Sequence, residues 1–63
     1  MKRISQRNGA TVITFEQSAV PRTFFVIARA LGYRVAVTGG TTLTHEIVCS
    51  ESDFEVLIDL SFD

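Results

Sequence analysis

The segment from Asp53 to Asp63 constrains this chain more than any other. Phe54, Val56, Ile58, Leu60 and Phe62 alternate with Asp53, Glu55, Leu57, Asp59, Ser61 and Asp63. Successive side chains of a strand point to opposite faces, so the spacing predicts a β-strand with one apolar and one acidic face. Burying such apolar side chains is worth about 1.5–3 kcal/mol each. The closing strand is therefore expected to be the one around which a sheet assembles.

Size limits what the rest can do. The 63 residues read as one domain, 1-63, and a chain this short buries only about 60% of the surface its unfolded form exposes. Small domains compensate with disulfides, metals or self-association. One cysteine, Cys49, excludes an internal disulfide, and one cysteine with one histidine is too few for a structural zinc site. The expectation is thus a homodimer, or a chain docked on a larger complex, with no cofactor and no metal. Lone Cys49 within a strand pattern suits a reducing compartment. Lys2 and Arg3 are followed by Ser5-Gln6-Arg7-Asn8-Gly9, without the apolar core of a signal peptide. No run is long enough to cross a bilayer. Cytoplasmic residence without membrane contact is expected.

Charge is segregated along the chain. All six basic residues (Lys2, Arg3, Arg7, Arg22, Arg29, Arg34) precede position 35, opposed there only by Glu16. The other six acids (Glu46, Glu51, Asp53, Glu55, Asp59, Asp63) follow position 45, so the two parts carry about +5 and −6 by formal charge.

Taken in order, Lys2–Arg7 and Thr11–Phe15 read as a hairpin joined at Asn8-Gly9, a pair suited to the positive φ angles of a type I′ turn. The first strand has little beyond Ile4 to bury and is expected at a sheet edge. Val20, Phe24, Ile27 and Leu31 form one apolar stripe of a helix from about Ala19 to Leu31. Ser18 is its expected N-cap, Pro21 lies in its first turn and Gly32 is its C′ residue. Tyr33, Val35 and Val37 share one strand face, and Leu43, His45, Ile47 and Cys49 share another, with Gly39-Gly40 turning the chain between them. Ser50-Glu51-Ser52-Asp53 reads as a polar turn. The expected fold is α+β in two layers: an antiparallel sheet in the order β-β-α-β-β-β, with one helix packed on one face.

Catalytic chemistry finds little support. His45 has apolar neighbours on its strand face, and Cys49 lies four residues away, about 13 Å along a strand, too far for a nucleophile–base pair. The Val37-Thr38-Gly39-Gly40-Thr41-Thr42 segment lacks the following helix that a phosphate-binding loop requires. No enzyme is expected. Instead the residues suggest a non-catalytic protein-binding module, a small intracellular regulator or inhibitor of the kind phages encode, acting on a larger protein or nucleoprotein complex. Arg22, Phe25 and Arg29, an aromatic between two arginines on the outer helix face, form one candidate partner-binding surface. Glu55, Asp59 and Asp63 form a second, acidic one, able to meet a basic groove. The alternative is a nucleic-acid-binding protein using Lys2, Arg3, Arg7, Arg22 and Arg29. The acidic isoelectric point of about 5.7 weighs against it.

Overall fold

The computed structural model describes residues 2–38 and 43–62. Strands β1 (Lys2–Arg7) and β2 (Ala10–Glu16) are followed by a 3-10 turn at Gln17–Ala19 and helix α1 (Thr23–Ala30). Strands β3 (Val35–Thr38) and β4 (Thr44–Val48) precede helix α2 (Glu51–Ser61). The four strands form one antiparallel sheet in the order β1-β2-β4-β3. The expected α+β class with an antiparallel sheet is present. The Gly39-Gly40 turn lies outside the described residues.

The β1–β2 hairpin forms as its turn chemistry dictates, with Asn8 at φ 52° and Gly9 at φ 78°. Its register pairs Lys2 with Phe15 and Arg7 with Ala10, leaving β1 at a sheet edge. On the helix side of the sheet, Ile13 and Phe15 of β2 lie beside Ile47 and His45 of β4. Both isoleucines are fully buried.

Helix α1 begins later than the periodicity suggests. Proline disfavours helical geometry in the residue before it, and Val20 is extended at ψ 151°. The helix therefore starts at Thr23 with Arg22, not Ser18, at its N-cap. Its end follows the expectation. Gly32, at φ 90°, donates to the Arg29 carbonyl while Tyr33 donates to the Ala28 carbonyl, the two bonds of a Schellman cap. The buried stripe is Phe24 and Ala28, flanked by half-buried Phe25 and Ile27, whereas Leu31 is exposed.

The closing segment is a helix, not a strand, and the expected fifth strand and single-helix cover are corrected accordingly. Ser50 is the N-cap, its hydroxyl accepting from the Asp53 amide at 3.1 Å. Glu51 and Asp53 supply negative charge to the first turn, where the helix dipole favours it. Phe54, Leu57 and Ser61 are buried and Ile58 half-buried, the i, i+3, i+4, i+7 spacing of one helix face. Leu57, assigned by alternation to the acidic face, is 1% exposed, while Val56, Leu60 and Phe62 are 54%, 44% and 70% exposed.

Geometry explains why a second helix is required. Four strands at about 4.8 Å spacing make a face about 19 Å wide, whereas one helix covers only about 10 Å. Helix α1 lies over β3 and β4, with Phe25 against His45. Helix α2 lies over β1 and β2, with Phe54 against Phe15 and the Lys2 ammonium 5.4 Å from the Phe54 ring centre. The helices run antiparallel: Thr23, at the start of α1, donates its hydroxyl to the Ser61 carbonyl at the end of α2. Among the described residues no helix covers the opposite sheet face.

Two substitutions test this assignment by denaturant unfolding. Phe54→Ala is expected to cost about 3–5 kcal/mol, as for other buried aromatics. Ser50→Ala is expected to cost about 1 kcal/mol through loss of the cap. A Phe54→Ala change costing no more than an exposed substitution would place that ring outside the core.

Candidate functional site

The α1 surface is built by the helix register. Phe24 and Ala28 face the core, so Arg22, Val26 and Arg29 are turned outward, all exposed, with Phe25 at the boundary. The Phe25 ring is only partly withdrawn from solvent. It packs 4.7 Å from the His45 ring centre, 5.6 Å from Phe24 and 6.2 Å from Phe15. It thus closes the core from one side and presents an edge to solvent on the other. Two shallow depressions meet at Phe25 and Arg29. One, of about 440 Å³, is lined by Phe25, Val26, Arg29 and Ala30. The other, of about 220 Å³, runs from α1 to β3 along Phe25, Arg29, Tyr33, Val35, Val37 and His45. Val26 and Val37 on these walls are 69% and 66% exposed.

The second candidate set has a different shape from the expected strip. Glu55 and Asp59 share a side of α2 as an i, i+4 pair, and Asp63 lies outside the described residues. Glu55 is not free: the Lys2 ammonium binds its carboxylate at 2.5 Å and reaches Glu51 at 3.6 Å. The hydrogen bond to Glu55 raises the Lys2 pKa, so the pair stays charged on the lysine side beyond the usual ammonium range. Asp59 is exposed beside Val56 and Leu60.

The five basic residues of the nucleic-acid alternative are dispersed over the molecule. Lys2 faces α2, while Arg3 and Arg7, one and five positions along, belong to the helix-free face by strand alternation. Arg7 makes two bonds to Glu46, at 3.1 and 3.3 Å, and crosses β2 to do so. Arg22 and Arg29 lie on α1, toward the other edge of the sheet. Among the described residues, Arg3, Arg22, Arg29 and Arg34 take part in no ion pair.

The two side chains with nucleophilic or base chemistry are both committed to packing. His45 is 8% exposed, its Nε2 lies 3.2 Å from Gln17 Oε1, and its ring stacks on Phe15. Cys49 is buried, and that burial, followed by the charge of Asp53, pushes its thiol pKa up. Tyr33 is shifted upward for the same two reasons, in the same order. Among the described residues no cluster of three or more His, Cys, Asp or Glu side chains is arranged to hold a metal. No helix there is long and apolar enough to cross a membrane.

Sequence reasoning singled out the α1 residues but missed Val35 and Val37, the β3 side of the same depression. A signal existed: a strand whose Val35 and Val37 share a face, placed directly after a helix carrying an outward Phe and Arg, has its apolar face next to them. No family model, curated protein or solved structure matches the chain.

A raised thiol pKa lowers the thiolate fraction at neutral pH. Cys49 is therefore expected to react slowly with iodoacetamide in the native protein and rapidly in denaturant. Its native rate should climb only at pH values above those for a free cysteine. Rapid native labelling at pH 7, followed by mass spectrometry, would contradict its burial.

Proposed function

We propose that this chain is a non-catalytic module that binds another protein through the α1 face carrying Arg22, Phe25 and Arg29. One observation carries the reading: these two arginines have no ion-pair partner among the described residues and flank an aromatic ring that is only half-buried. Arginine and aromatic side chains are enriched at protein interfaces, the aromatic burying large area with few rotamers to freeze and the guanidinium offering a planar fork of donors. By contrast, Lys2 and Arg7 are already neutralised by acids from the other part of the chain. The exposed Val26 adds apolar area to the same face. An intracellular regulator or inhibitor that docks on a larger assembly accords with this surface, with the small size, and with a lone buried cysteine suited to a reducing compartment.

The test compares the wild-type chain, an Arg22→Glu/Arg29→Glu variant and an Asp59→Lys variant as baits in the native host, with identification by mass spectrometry. A partner held by the wild type and by Asp59→Lys, and lost from the double variant with its circular dichroism unchanged, is the expected result. Retention by the double variant removes α1 as the working face. A gel-shift series at two salt concentrations addresses the nucleic-acid alternative, which requires binding that weakens steeply as salt rises.

A further inference from the structure

The two edges of the sheet are defended unequally. Edge strands expose unpaired N–H and C=O groups, and proteins protect them with charge, irregularity or a covering element. At β1 the sequence Lys-Arg-Ile-Ser-Gln-Arg supplies charge along the edge. At β3 the sequence is Val-Ala-Val-Thr, without a charge, a proline or a glycine. Its register with β4 sets Val35 and Val37 on the helix side, next to Ile47 and His45. Helix α1 does not roof this edge: Val37 is 66% exposed, and the depression lined by Phe25, Arg29, Tyr33, Val35, Val37 and His45 opens beside it.

Charge distinguishes the occupants that such an edge can take. Arg34 immediately precedes β3, Arg29 lines the depression, and neither is in an ion pair among the described residues. A second copy pairing antiparallel edge to edge would offer Val-Ala-Val-Thr, a strand without an acid, to these arginines. Asp53, which faces Tyr33 and Cys49, is one acid against the two arginines of each copy. An acidic segment of a different protein would meet them with opposite charge.

We propose that the free edge of β3 accepts an extended, acidic segment of a partner protein as a fifth strand. Its alternate apolar side chains would fill the depression between Phe25 and Val37, and its carboxylates, on the other face of the added strand, would lie on the side of Arg34, with Arg29 on the wall of the depression adding positive charge nearby. This inference rests on the protein-binding reading and deepens it by naming the class of segment bound. Backbone hydrogen bonds to β3 supply affinity, and alternation of side chains supplies selectivity, as in other cases of strand addition.

The probe is a blocked heptapeptide of alternating Glu and Val, titrated into the full, isotope-labelled chain and followed by amide shifts in NMR. Saturable shifts are expected at Val35, Ala36, Val37 and Thr38 and at the neighbouring Phe25 and Arg29. Three changes should each weaken binding by about tenfold or more: N-methylation of alternate peptide amides, Lys in place of Glu in the peptide, and Arg29→Glu/Arg34→Glu in the protein. Val37→Glu tests the same edge at an exposed position, with circular dichroism as the folding control. Equal binding of the N-methylated peptide, equal binding of the Lys peptide, shifts confined to α1, or no shifts at millimolar peptide would each overturn strand addition. So would concentration-dependent sedimentation with β3 amides already protected, which would mean that a second copy holds the edge. If strand addition fails while the partner is still lost from Arg22→Glu/Arg29→Glu, protein binding through α1 stands alone. If both fail, neither surface is the working one.

Discussion

Three phenylalanines hold the two layers together. Phe15 comes from β2, Phe24 from α1 and Phe54 from α2, and their ring centres lie 5.3, 5.3 and 5.4 Å apart in pairs. Each ring is 2% exposed or less. The planes are inclined at 54° to 70°, so ring edges meet ring faces, the arrangement aromatic quadrupoles favour. Because each element contributes one corner, neither helix can leave without opening a cavity against the other two rings. A chain this short has no reserve core to absorb such a loss. Everything on the surface, including the pose of Phe25 and the opening beside β3, inherits its position from this contact.

Much of the sheet was legible in the sequence because its signals are local. Asn8-Gly9 demands a tight hairpin, β2 is rich in β-branched residues, β4 alternates, and Gly32 marks the end of α1. The closing segment was misread because two periods coexist in it. Phe54, Val56, Ile58, Leu60 and Phe62 repeat every two residues, and five apolar side chains outweigh the three of the helical set, Phe54, Leu57 and Ile58. The fourth helical position is Ser61, which looks like a surface residue yet is buried. It is tolerated there because its hydroxyl donates to the Leu57 carbonyl at 2.6 Å within the same helix. The deciding signal was Ser50-x-x-Asp53, a cap sequence immediately before the apolar run. It outranks alternation because it accounts for orphan backbone donors that a strand would not have. The start of α1 shows the converse: its stripe was visible, but Pro21 fixes Val20 as extended, and the helix could not begin where the stripe did.

Folding also redistributes the segregated charge. Lys2 and Arg7 meet Glu55 and Glu46 across the fold, so much of the contrast between the two ends of the chain is spent internally. Among the described residues, three of the four arginines left without an ion pair, Arg22, Arg29 and Arg34, lie on α1 and just before β3, the edge strand that carries no charge of its own, while Arg3 lies on β1. Residue order announced the imbalance. Only the strand order β1-β2-β4-β3, which carries β1 away from α1, shows which arginines remain together.

Both proposed surfaces depend on α2 being helical and seated on Phe15 and Phe24. Backbone carbon chemical shifts for residues 51–61, with cross-relaxation among the three phenylalanine rings, measure this directly. Helical shifts throughout the segment and contacts from Phe54 to both other rings are the predicted result. Extended shifts, or a Phe54 ring without contact to Phe24, would contradict it.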